Sequence, residues 1–340
     1  MSFDPHLDRL RLITLYLSER CNSRCVTCDY WRHGRADMTA QAVRDLLPGL
    51  AELHAEAVLI SGGEPLLNPE WAEIALLLKA AGLKLWLLTS GLSLAKHAQR
   101  VARLFDAVTV SLDGANAPTY AAIRGLDAFD NVCAGVRAAA RSGLSPSVRV
   151  TLQRANYREL PAFVDLAREL GARQISFLAV DVANPHAFAR TESFGDELAP
   201  SVEDLALFAQ VLDETERTHA QDFRSGFIAE SPQKLRRILA YFAAIRGHGA
   251  FPAVRCNAPQ FSAVIDAKLQ MQPCFFIPGA PDARIQSDLK SVLNSAGMRD
   301  LRSSIHAGTR RECMSCVCPL WREPRSFAAP LLPARLASAS

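Results

Sequence analysis

The sequence predicts an α/β protein whose parallel sheet curls toward a barrel. Two observations carry this. Between residues 10 and 180 six short apolar runs alternate with stretches of helical periodicity, and each run is too short to be a helix. Most are bounded by glycine or polar residues, as strands feeding helical crossovers are. The runs are Leu12 to Leu17, Ala57 to Ile60, Leu85 to Thr89, Ala107 to Leu112, Val148 to Leu152 and Gln174 to Val180.

The intervening helices carry readable ends. Asn68 with Pro69 caps and starts one that stops at Gly82; one beginning near Phe129 stops at Gly143; Asn156 opens another that stops at Gly171. After residue 180 the alternation breaks, so an eight-unit barrel would lack two of its units. Residues 181–255 read as a helical connector, with Ser201 heading a helix to about Arg217 and Ser231-Pro232 heading another to about Arg246. A cysteine-rich stretch follows over 256–320, and the Ala-, Pro- and Ser-rich tail from 322 to 340 reads as flexible.

With 340 residues, 49% hydrophobic and 21% charged, the chain can bury a large core. Its formal charge of +3 and scattered arginines give no reason to expect nucleic acid or an anionic membrane as partner. No apolar segment approaches a membrane span, and the first ten residues lack the pattern of a signal peptide, so the expected location is cytoplasmic. Nine cysteines in a reducing compartment then call for an explanation other than disulfides.

Three of them, Cys21, Cys25 and Cys28, lie within eight residues just past the first apolar run, at the functional rim of such a fold. A closed structural zinc site or an all-cysteine iron-sulfur cluster needs four such ligands, so three predict a centre with one position open. Buried thiols, or half of a zinc site completed elsewhere, are the alternatives that this stretch leaves open. The spacing resembles the cluster motif of the radical S-adenosylmethionine (radical SAM) superfamily. The resemblance implies a six-stranded partial barrel, (β/α)6 and TIM-like, over residues 10–180. It also implies a [4Fe-4S] cluster on the three cysteines, with one iron left to chelate S-adenosylmethionine. The position before the last cysteine, aromatic in many members, is Thr27 here. The adenine then stacks on Tyr30 or Trp31, or is held by backbone groups around Thr27.

Two further loops extend the resemblance. Gly62-Gly63-Glu64-Pro65 follows the second run; its glycines admit close approach of backbone to a ligand, and in the superfamily this motif binds the cofactor's amino group. Glu64 is expected to offer a carboxylate at the loop tip. Ser111-Leu112-Asp113 ends the fourth run and Arg124 follows in Ile123-Arg124-Gly125. By resemblance Ser111 contacts the ribose and Arg124 pairs with the cofactor carboxylate, a task for which a guanidinium fork is suited. The competing reading is a tight turn at Asp113-Gly114 and a surface arginine. Thr89-Ser90-Gly91 is a further rim candidate.

The second group of cysteines is Cys256, Cys274, Cys313, Cys316 and Cys318, with Asp266-Ala267-Lys268 as a hairpin turn between the first two. The arrangement resembles the shortened, or twitch, form of the SPASM auxiliary-cluster module. That implies a second [4Fe-4S] cluster on Cys256, Cys274, Cys313 and Cys316. Leu269 stands where that module usually has glycine, and Cys318 has no assigned place; it can replace Cys316, contact substrate or stay a free thiol. A zinc knot on the same cysteines is the alternative. Cys133 is expected to be a core thiol.

Together these imply a radical SAM enzyme spanning roughly residues 10–320. Such an enzyme splits its cofactor to a 5'-deoxyadenosyl radical, which takes a hydrogen atom from substrate. An auxiliary cluster favours net oxidation, with Asp181, His186 and Glu230 as candidate bases and no catalytic residue assigned. Only twenty residues precede Cys21. The expected substrate is therefore a small metabolite such as a sugar, cyclitol or nucleoside-derived compound, with a ribosomally made peptide as the second expectation. Flavodoxin or ferredoxin is the electron donor the family implies. A non-catalytic iron-sulfur or zinc-binding protein is the reading from another class.

Overall fold

The computed structural model describes residues 3–190, 196–286 and 288–323. Six parallel strands appear where the apolar runs place them: β1 (Leu12–Ser18), β2 (Ala57–Gly62), β3 (Lys84–Thr89), β4 (Ala107–Ser111), β5 (Ser147–Leu152) and β6 (Gln174–Ala179). They pair in sequence order, each with the next. Side chains alternate along each strand. Ile13, Leu15 and Leu17 of β1 join the large core shared with the outer helices, whereas Leu12 joins Ala57 and Trp86 in a separate small cluster on the other face. That inner face lines the lumen of the partial barrel.

Helix ends fall close to the expected signals. The helices Trp71–Ala80, Phe129–Arg141 and Leu160–Glu169 stop one or two residues before Gly82, Gly143 and Gly171, and those three glycines adopt positive φ. Ser201 caps Val202–Thr218 with a full capping box through Asp204, and Ser231 caps Pro232–Ile245. The segment after Cys256 departs from a simple separate hairpin. β7 (Ser262–Ile265) pairs parallel with β1 and antiparallel with β8 (Met271–Gln272), so the cysteine-rich stretch continues the barrel sheet to eight strands.

Arg322, the first residue of the expected flexible tail, is instead held in place. Arg322 N–H donates to Asn257 Oδ1 at 2.9 Å, and its carbonyl accepts from Asn257 Nδ2 at 2.7 Å. The rest of the tail, 324–340, lies outside the described residues. Among the described residues no helix is long and apolar enough to cross a membrane.

Candidate functional site

Cys21, Cys25 and Cys28 lie on the loop that leaves the C-terminal end of β1. Backbone bonds from two places fix this loop: Arg24 N–H donates to Arg124 O (2.9 Å), and Val26 N–H to Ile123 O (3.0 Å). Both acceptors end the helix Ala117–Arg124, whose closing residue Gly125 has φ 71° and is so close that a Cβ there would stand 2.3 Å from Arg24 O. The three thiols lie near enough to feel one another's charge, and burial pushes Cys21 up to about 11 and Cys28 up to about 12. Burial thus favours the neutral thiol at Cys21 and Cys28, a preference that the positive charge of a metal centre would reverse.

The two glycines after β2 are explained by the same crowding. Gly63 N–H donates to Ser18 O at 2.7 Å and Glu64 N–H to Arg20 O at 2.8 Å, so the loop lies directly on the chain entering the cysteine motif. Gly62 has φ 119°. Pro65 begins a short 3-10 turn, Pro65–Leu67. Glu64 is not at a loop tip. It is fully buried, and its carboxylate accepts from Thr89 Oγ1 (2.8 Å), Ser90 N–H (2.7 Å) and Leu66 N–H (3.1 Å). The residues that read as a vague rim candidate, Thr89 and Ser90, are therefore what holds Glu64 in place beside Cys21.

Asp113 and Arg124 are also buried and meet each other, with Asp113 Oδ2 2.9 Å from Arg124 Nε. Asp113 Oδ1 accepts from Thr151 N–H at 2.7 Å, tying β4 to β5, while Arg124 Nη1 reaches Cys25 Sγ at 3.4 Å. The surface-arginine reading of Arg124 is thereby overturned. Ser111 is half-buried at the end of β4. Thr27 is half-buried and its carbonyl accepts from Arg190 Nη2 at 3.0 Å. Tyr30 packs edge-on against Tyr16 at 5.9 Å, and Tyr16 stacks on Phe275 at 6.4 Å. Trp31 instead donates from Nε1 to Cys25 O, with Arg32 over its ring. Cys133 is a core thiol, as expected.

The second group of cysteines converges as well. Asn257 joins residues 320 and 322 by backbone and side-chain bonds, and Cys256 Sγ accepts from Leu320 N–H at 3.5 Å. Cys274, Cys313, Cys316 and Cys318 all lie near enough to Cys256 to feel its charge, and burial pushes Cys274 up to about 12 and Cys313 up to about 11. The hairpin turn expected at Asp266 is present, with Oδ1 accepting from Lys268 and Gln270 N–H. Leu269 takes φ 63°, so the leucine keeps the left-handed backbone that glycine reaches at no steric cost.

These five cysteines line one side of a cavity of about 260 Å³ whose remaining wall is the inner face of the barrel, Thr14, Thr109, Arg149 and Ser176 among it. Glu230 also lines it, and burial pushes this carboxyl up to about 7 against the pull of the Phe177 N–H, Lys234 and Arg149. Asp181 and His186, the other candidate bases, belong to a different structure. Residues 181–190 form a strap from the end of β6 that touches both cysteine groups. Asn184 Nδ2 donates to Phe276 O (2.7 Å); Asp29 N–H donates to Phe188 O (3.0 Å); Arg190 reaches Thr27 O and, through Nη1, Asp181 O (2.6 Å). Phe188 and Ala189 both hold positive φ, 59° and 60°. Asn184 and Arg190 escaped the sequence reading.

The donor chemistry fits an iron-sulfur centre. The first loop offers three thiols, and Ser23 Oγ inside it is buried without a hydrogen-bond partner among the described residues. Among those residues no three His, Cys, Asp or Glu side chains converge tightly enough to hold one metal ion. Three thiols leave a lone zinc one ligand short of a closed site, whereas a cluster can be held by three with one iron left open.

Comparison with known proteins decides the family question for this part of the chain. The Radical SAM superfamily model matches residues 15–167. These residues are a radical SAM domain. The chain is 31% identical over 168 residues to AdoMet-dependent heme synthase of Methanosarcina barkeri (strain Fusaro / DSM 804), covering 48% of this chain and 48% of that protein. It is 23% identical over 337 residues to Fe-coproporphyrin III synthase of the same organism, covering 91% and 81%. The chain thus spans about half the length of the heme synthase. Streptococcus suis SuiB bound to S-adenosylmethionine superposes with a TM-score of 0.64 at 14% identity, over 93% of this chain and 74% of that one. At that identity the likeness concerns the fold alone. The radical SAM domain ends inside the helix Leu160–Glu169, so the second cysteine group lies outside the matched residues.

Proposed function

We propose that this chain is a radical SAM enzyme that oxidises a small metabolite inside its barrel. The observation that carries the reading is that the barrel which gathers Cys21, Cys25 and Cys28 on the loop after β1 also holds a cavity of about 260 Å³ walled partly by a second set of five cysteines. When bound, a cluster with S-adenosylmethionine supplies abstraction of a hydrogen atom, and a second cluster supplies an acceptor for the electron that net oxidation releases.

The chain's own residues do the rest. Cys21, Cys25 and Cys28 would hold the first cluster, and Cys256, Cys274, Cys313 and Cys316 the second. The Gly62-Gly63 backbone and the residues around Thr27, Tyr30, Ser111 and Arg124 would hold the cofactor. Asp113 orients Arg124, and buried Glu64 fixes the approach of its loop to the cysteine motif. Glu230 is the group placed to take a proton from a substrate in the cavity, since its pKa near 7 leaves it able both to accept and to release one at neutral pH. The proposed substrate is a compact one, such as a sugar, cyclitol or nucleoside-derived compound, with a ribosomally made peptide as the alternative.

Anaerobic reconstitution tests this. About eight irons per chain with matching sulfide, and 5'-deoxyadenosine formed under a strong reductant, are expected. Replacing Cys313 with alanine should remove only the second half of the iron. A colourless protein holding zinc, or full iron with no cofactor cleavage, would sink the enzymatic reading. A mass shift on a co-expressed precursor peptide would replace the small metabolite with a peptide.

A further inference from the structure

Arg149 is the least explained charge in the barrel. It lies on the inner face of β5, in register with Ser111 of β4 and Ser176 of β6. Its Nε donates to Ser176 Oγ at 3.1 Å, which fixes the guanidinium plane, while Nη1 and Nη2 have no hydrogen-bond partner among the described residues. It is half-buried and lines the cavity.

None of the carboxylates on the cavity wall hydrogen-bonds to it, although Glu230 is near enough to feel its charge. Asp106 accepts from Leu85 N–H and faces Lys84; Glu312 pairs with Arg310; Glu230, fully inside, carries a proton about half the time near pH 7. Arg173 and Lys234 add positive charge to the same wall. A guanidinium fork with its two terminal nitrogens turned to a cavity is suited to receive an oxyanion.

We propose that Arg149 anchors an oxyanion, a carboxylate or phosphate, of the substrate within the barrel, held by its two terminal nitrogens. The inference rests on the reading of the cavity as the substrate chamber and narrows the substrate to an anionic metabolite. A neutral sugar or cyclitol would leave the fork unpaired at a cost that its hydroxyls only partly offset.

The test uses the cluster-loaded full chain without reductant, titrated calorimetrically with inorganic phosphate and, separately, with acetate. Wild type should bind at least one of the two, phosphate alone marking a phosphoryl group and acetate alone a carboxylate. Arg149→Gln should weaken that binding at least tenfold, and Arg149→Lys should fall between, since lysine keeps the charge without the fork. In case the variants fail to fold, phenylglyoxal labelling of the wild type gives a second readout. The bound anion should slow the adduct at Arg149 and leave that at exposed Arg141 unchanged. No binding of either anion, equal binding by Arg149→Gln, or no protection of Arg149 overturns the proposal. So does an altered electron paramagnetic resonance signal of the second cysteine-bound centre in Arg149→Gln with anion binding intact, because the guanidinium then serves that centre. Because no cofactor cleavage is involved, failure here leaves the radical SAM reading standing, and failure of cofactor cleavage leaves this binding result intact.

Discussion

Glu230 links the stability of the chain to its chemistry. An exposed glutamate loses its proton near ~4.3, whereas this one keeps it to about 7 in the folded chain. Because the folded pKa is the higher, the associated stability is complete below about pH 4 and is lost as pH rises through about 7. Between those limits wild type should lose about 3 kcal/mol of unfolding free energy relative to Glu230→Gln, read by urea titration at each pH. Parallel pH curves for the two proteins would mean that the carboxyl is solvated. Asp113 makes a second expectation at this scale. Asparagine in its place leaves Arg124 charged and buried, and should cost about 3–5 kcal/mol in the same measurement; a loss under ~1 kcal/mol would show that the pair is dispensable. Neither partnership was legible in the sequence. Asp113-Gly114 reads locally as a turn, and the eleven positions separating Asp113 from Arg124 are bridged only by how the helix Ala117–Arg124 packs.

The strands were legible because each buries an alternating apolar face that local composition records. The hairpin at Asp266 was legible too, but not the pairing of its first arm β7 with β1, since Ser262–Ile265 is only four residues long and β1 lies some 250 positions away. The Gly62-Gly63 loop is the converse case, a short motif whose necessity the structure explains. A Cβ on Gly63 would stand 2.4 Å from Arg20 O and 2.7 Å from Glu19 O, so the loop could not lie on the chain entering the cysteine motif. Gly63→Ala should therefore reduce the iron held after anaerobic reconstitution by about half, with the second group of cysteines keeping its share. Full iron content would mean that the chain yields there without consequence. Leu269 teaches a related point. Its side chain is not glycine's, yet its backbone is, so a missing glycine did not mean a missing turn.

At the scale of the whole molecule, the eight-strand sheet brings both cysteine groups to one barrel, and residues 181–190 link them a second time. The sequence pattern did not mark Asn184 or Arg190 for this role, because their partners are carbonyls of distant residues. Asn184→Ala removes the bond to Phe276 O while leaving every cysteine in place. It should broaden or shift the electron paramagnetic resonance signal of the first centre as well as the second, with iron content unchanged. Two wild-type signals would show that the strap is a passenger. Phe188 and Ala189 hold a backbone shape that costs about 1–2 kcal/mol per residue, like a spring kept drawn by its two attachments. Release of the Asn184 bond at Phe276 would let those two residues relax, and the slack would be passed to Asp29 and Thr27 on the other cysteine loop.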